Sequence, residues 1–141
     1  MNINRLILGA LLLGTLLLLL AACSTKNERI LLVGIHSSKD VVAYNTDQGI
    51  TDPEAIKKFK TLIESAAPIE RKPTGTKLDS DYTVVVNNGK DSTMELGVEL
   101  WQMEDGTFLI GQPLFGDPQK YSRTNSENSE KLKELLPLEE E

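Results

Sequence analysis

Cys23 is the only cysteine in the 141-residue chain. No second thiol is present to close a disulfide with it, so its sulfur is either free or modified. The residues before it, Leu20-Ala21-Ala22, put small side chains where the narrow pocket of a signal peptidase requires them. His36 is the only histidine. A Ser–His–acid arrangement would have to use it, and Ser37 and Ser38 lie too close along the chain to be obvious nucleophiles. There is no Gly-x-Ser-x-Gly elbow, phosphate loop or dinucleotide fingerprint. One histidine and one cysteine cannot build a common zinc site. Asp79 and Asp81 stand two apart, but the calcium-loop pattern does not continue beyond them. Carboxylate pairs arise by chance among 21 acidic residues, and a glycosidase also needs a cleft that a domain of this size builds with difficulty. Trp101 has two readings: an interface anchor, or a core residue packed under a helix or covering the second face of a sheet. The residues therefore assign no catalytic group, cofactor or metal ligand. They nominate Cys23 for modification and Trp101 as a candidate interaction residue.

Three zones precede Cys23. Residues 1–5 contain one basic residue, Arg5, and no acid; residues 6–22 are uncharged, and ten of these seventeen are Leu; residues 20–23 form the cleavage zone. This run resembles the lipobox of bacterial lipoproteins, Leu-Ala/Ser-Gly/Ala-Cys. The resemblance implies that the Cys23 thiol takes a diacylglycerol thioether and that the chain is cut before it. Two acyl chains then anchor the protein, each buried CH₂ contributing about 0.8 kcal/mol. The alternative is an uncleaved transmembrane helix. Seventeen residues at about 1.5 Å rise span roughly 26 Å, short of a hydrocarbon core of about 30 Å. The expected organisation is a signal peptide over 1–22, a lipidated tether over 23–29, one domain over 30–137 and an acidic tail over 138–141.

The chain beyond the leader carries 14 basic and 21 acidic residues, a net charge of −7. That balance repels nucleic-acid phosphates and argues against broad adhesion to anionic headgroups. Lys57, Lys58, Lys60, Arg71, Lys72 and Lys77 form a basic stretch, but Glu54, Glu64 and Glu70 interleave with it, as on an ordinary solvated surface. A chain of this size can bury a core without a disulfide or a structural metal.

The elements that must position these residues are legible from periodicity. Residues 30–35 form an apolar run too short for a helix and predict a strand. Residues 36–40 are turn-like, and residues 41–44 predict a second strand in a hairpin with the first. Thr51-Asp52-Pro53-Glu54 opens a helix, capped by Thr51 with Glu54 or by Asp52 with Pro53 in the first turn. Its apolar stripe is Ile56, Phe59, Leu62, Ile63 and Ala66, Pro68 ends it, and Lys60 is placed to pair with Glu64. Residues 69–80 read as a loop. Residues 82–86 predict a central strand. Met94, Leu96, Val98 and Leu100 alternate with Glu95, Gly97, Glu99 and Trp101 in a half-buried strand. Asn88-Gly89 and Asp105-Gly106 signal turns. Residues 107–110 predict a further strand, 111–117 a loop, 120–123 a short edge strand, and 125–136 a helix facing inward through Leu132, Leu135 and Leu136. The expected class is α+β: a small antiparallel meander with two helices on one face, in the order β(β)-α-β-β-β(β)-α.

A second resemblance covers most of that domain. Ile50-Thr51-Asp52, Asp81-Tyr82-Thr83-Val84, Glu99-Leu100-Trp101, Tyr121-Ser122 and Lys131-Leu132-Lys133-Glu134-Leu135-Leu136 occur in an order similar to a small-domain family found in uncharacterised lipoproteins of Bacillus-type Gram-positive bacteria. This resemblance implies location and fold and carries no chemistry. The expectation is a non-enzymatic, lipid-anchored module on the extracytoplasmic face of the cell membrane, binding an envelope protein or component through the exposed side of its sheet. The alternatives are an inhibitor or accessory subunit of an envelope enzyme and, behind it, a small hydrolase using His36.

Overall fold

The computed structural model describes residues 29–38, 41–112 and 120–138. The leader, Cys23, the tether up to residue 28, residues 39–40 of the expected turn, residues 113–119 with most of the expected loop, and residues 139–141 of the expected tail lie outside the described residues. Strand β1 runs Arg29–Ser38 and pairs in a hairpin with β2, Val41–Tyr44. A 3₁₀ turn at Thr46–Gln48 leads to helix α1, Pro53–Glu64. β3 (Ala67–Ile69), β4 (Tyr82–Asn88), β5 (Thr93–Gln102), β6 (Phe108–Gln112) and β7 (Lys120–Arg123) follow, and helix α2, Ser126–Leu135, closes the domain. The seven strands form one antiparallel sheet in the order β2-β1-β4-β5-β6-β7-β3, and with two helices the class is α+β.

α1 starts where its caps dictate. Asp52 accepts from the N–H groups of Glu54 and Ala55, and Pro53 occupies the first turn, where its missing N–H costs nothing. Ile56, Phe59, Leu62 and Ile63 form the buried face. α2 is capped by Asn125, whose side chain accepts from Asn128 N–H. At its foot, the buried hydroxyls of Thr124 and Ser129 lie 2.6 Å apart, and Thr124 Oγ1 also accepts from Phe108 N–H at 2.9 Å. Both helices lie on one face of the sheet. Leu31, Val33, Val84, Val86, Val98, Leu100, Phe108 and Ile110 meet Ile56, Phe59, Leu62, Ile63, Leu132 and Leu136 there. Each such side chain contributes about 1.5–3 kcal/mol by leaving water.

Several sequence readings change. Residues 67–69 pair with β7, so β3 stands where the end of the helix and the first loop residue were expected, and β7 is an inner strand and not an edge. Pro68 is tolerated because β3 is itself an edge strand. β1 continues through His36 to Ser38, into the expected turn, with a register irregularity between His36 and Ser38. A second shift, between Val86 and Asn87, takes Met94 out of the inward stripe of β5 and leaves it 42% exposed. Lys60 pairs with Glu95 across to the sheet, where Glu64 was expected. Asp105-Gly106 does form the β5–β6 turn, with Gly106 at φ +79°, a conformation that favours glycine.

Candidate functional site

The second face of the sheet carries the polar and aromatic candidates. α1 takes the chain from the β1–β2 side to β3 at the far edge, so residues 70–81 must return across the sheet to reach β4 beside β1. They return over the face that the helices leave. Lys72 places its Nζ 4.1 Å from the centre of the Trp101 ring. The same ammonium donates to the carbonyls of Lys77 at 2.7 Å and Leu78 at 3.2 Å, tying the strap to itself. Tyr121, from β7, tilts against the indole at 6.2 Å between ring centres. Trp101 is only 2% exposed as a result. The alternation in β5 put it opposite Leu100, and of its two readings, interface anchor or covered residue, the covered one holds. That burial weakens an anchoring role for the indole.

A cleft of about 480 Å³ opens beside the strap, between Thr74, Thr76 and Lys77 on one side and Gln102, Asp105 and Arg123 on the other, with Trp101 in its wall. Four of its charges pair with one another, while Glu104, also in the lining, takes part in neither pair. Lys77 pairs with Asp81 at 2.8 Å, and Arg123 with Asp105 at 2.7 Å. Asp81 also accepts from Gln102 N–H at 2.7 Å. Hydrogen bonds from the Thr107 hydroxyl and backbone, then from Arg123, hold the Asp105 carboxyl down at about 2. A carboxylate so held neither gives nor takes a proton near neutrality.

His36 meets a serine that sequence spacing did not nominate. Its Nε2 lies 3.2 Å from Ser80 Oγ, 44 residues away. A working Ser–His pair also needs a group orienting the other ring nitrogen and an open approach to the hydroxyl. His36 Nδ1 is buried with no hydrogen-bond partner, Ser80 is 5% exposed, and neither residue lines the grooves and clefts described here. The contact packs the end of the strap onto β1. Thr83 Oγ1 and Trp101 Nε1 are likewise buried without a partner.

The basic stretch is dispersed. Lys60 binds Glu95 at 2.6 Å, Lys72 covers Trp101 and Lys77 binds Asp81. Glu95 also takes Arg29 at 2.7 Å, and hydrogen bonds from Lys60 and then Arg29 lower its pKa from 4.5 to about 2. No group of three or more His, Cys, Asp or Glu side chains that could hold a metal occurs among the described residues.

At the β1–β2 end lies a smaller groove of about 200 Å³, lined by Val33, Ile35, Ala43, Tyr44, Tyr82 and Pro137, with Asn45 and Gln48 also in its wall. Among the described residues no charged side chain lines it. Burial raises the pKa of Tyr44. Gly34 lets β2 lie close here: a Cβ on it would fall 2.5 Å from Val42 Cγ1 and 2.8 Å from Tyr44 Cδ1. No helix among the described residues is long and apolar enough to cross a membrane. No protein family, curated protein or solved structure matches the chain.

Proposed function

We propose that the chain is a lipid-anchored, extracytoplasmic lipoprotein whose folded domain is a non-catalytic interaction module of the cell envelope. The observation that carries this reading is the sequence Leu20-Ala21-Ala22-Cys23 at the end of an uncharged, leucine-rich leader, with the first strand starting at Arg29, only six residues beyond the cysteine. At about 3.3–3.6 Å per residue, that tether reaches roughly 20 Å at most. Lipid on Cys23 would hold the domain against the membrane, with the Arg29 end of β1 nearest to it. The non-catalytic part rests on chemistry: Asp81 and Asp105 beside the cleft are committed to ion pairs, and the His36–Ser80 contact is buried with no hydrogen-bond partner on the other ring nitrogen among the described residues.

The test is lipid labelling and fractionation of a Cys23→Ala variant. Loss of the label with release or mislocalisation of the protein supports the reading. Unchanged membrane retention of that variant contradicts the anchor.

A further inference from the structure

The two edges of the sheet are not equivalent. β3 closes one edge with three residues, and Pro68 at its centre has no N–H to offer. β2 closes the other with Val41-Val42-Ala43-Tyr44, which contains neither proline nor charge. Edge strands are ordinarily blunted by such residues, because their outer N–H and C=O groups template further pairing. Asn45 N–H turns inward to the Val33 carbonyl. By the alternation of a strand, Ala43 also faces β1, and the backbone groups of Val42 and Tyr44 face outward. Among the described residues no strand pairs with that outer side. Val41 is 53% and Ile35 39% exposed beside it.

We propose that β2 receives an extended, uncharged peptide segment of a partner protein as an added strand, with one large apolar side chain seated in the groove beside Ala43 and Tyr44. Strand addition of this kind draws affinity from the main chain and selectivity from the pocket. The groove, at about 200 Å³, is smaller than the roughly 300–1,000 Å³ of small-molecule sites and suits a single side chain. Its uncharged lining disfavours a charged one. A second copy is the poorer occupant, because a four-residue edge is short against the roughly 20–30 residues a side of a stable complex between whole domains. The orientation rests on the anchored reading: β2 pairs with the distal half of β1, from Gly34 to Ser38, while the tether enters at Arg29. The open edge would then lie beside the half of β1 that is distant from the membrane.

The experiment titrates the full chain, extracted in detergent, into a fluorescent, end-blocked hexapeptide Thr-Val-Thr-Leu-Thr-Val, followed by anisotropy. Saturable binding is expected. It should weaken about tenfold or more when alternate peptide amides on the pairing edge are N-methylated, as lost backbone hydrogen bonds require. Replacing the peptide leucine by lysine, or making Ala43→Glu at the exposed lip of the groove, should weaken it similarly. Val42→Pro should do the same by deleting an outward N–H; if that variant fails to fold, N-methylation and Ala43→Glu still decide. No saturation up to about 1 mM, or indifference to N-methylation or to Ala43→Glu, overturns the proposal. So does a β2-dependent dimer in sedimentation, which would identify a second copy as the occupant. A Cys23→Ala chain should bind the peptide equally well, so failure here is separate from failure of the anchor.

Discussion

On one face of the sheet, two helices lay Ile56, Phe59, Leu62 and Leu132 over Leu31, Val84, Val98 and Ile110, and the contact is apolar throughout. On the other, residues 70–81 cross as a single strap over Trp101, pinned by Lys72 at one end and by the Ser80–His36 contact at the other. The buried polar atoms of His36, Thr83 and Trp101 that lack partners all belong to this second face. An unsatisfied buried group of this kind costs about 1–3 kcal/mol. The helical face thus buries the larger apolar set, and the strapped face, which buries Val85, Trp101 and Leu109, is held by a few named contacts. Local opening begins where such contacts are few.

Phe59, fully buried under α1, should show the largest effect: Phe59→Ala is expected to cost about 3–5 kcal/mol in denaturant unfolding. A cost below that of a strap mutation would break the contrast between the faces. Gly34→Ala comes next. Its methyl group overlaps Val42 and Tyr44, and about 1–3 kcal/mol of overpacking should appear with disturbed amide resonances in β2. Lys72→Met removes the cation from the indole face, an interaction of about 0.5–2 kcal/mol. Trp101 is the only tryptophan, so its emission reports directly on the strap. The variant should show red-shifted emission and faster hydrogen exchange over residues 70–81, with the helices unchanged. Glu95→Gln has the smallest expected effect, about 1 kcal/mol or less for an exposed pair. Its sign is fixed by the lowered pKa of Glu95. The carboxylate's contribution is complete above its ordinary value of 4.5 and is lost as pH falls towards about 2. The Gln variant should therefore show a flatter stability profile across that window.

The helical face was legible because its signals are local. The stripe from Ile56 to Ile63 repeats at helical spacing, and Asp52-Pro53 announces the start within four residues. The strapped face was not, because its contacts join distant parts of the chain. Nothing near Pro68 predicts a strand, since a proline locally reads as a break; pairing with β7, more than fifty residues on, decides it. The register shift that exposes Met94 leaves no mark on the alternation of β5. Trp101 could be assigned to the outer face from its position in that alternation, but its cover, Lys72, lies in a stretch that reads only as a solvated loop. Ser80 escaped notice as a neighbour of His36 for the same reason. The β2 edge is intermediate: its uncharged residues are visible in sequence, while its position at the sheet's open margin is visible only in the strand order.

The anchored placement of this domain is tested most directly by the intact mass of the protein extracted from membranes. The expected mass is that of residues 23–141 plus a diacylglyceryl group on Cys23. An unprocessed mass starting at Met1 would contradict it and would make the leader a transmembrane helix.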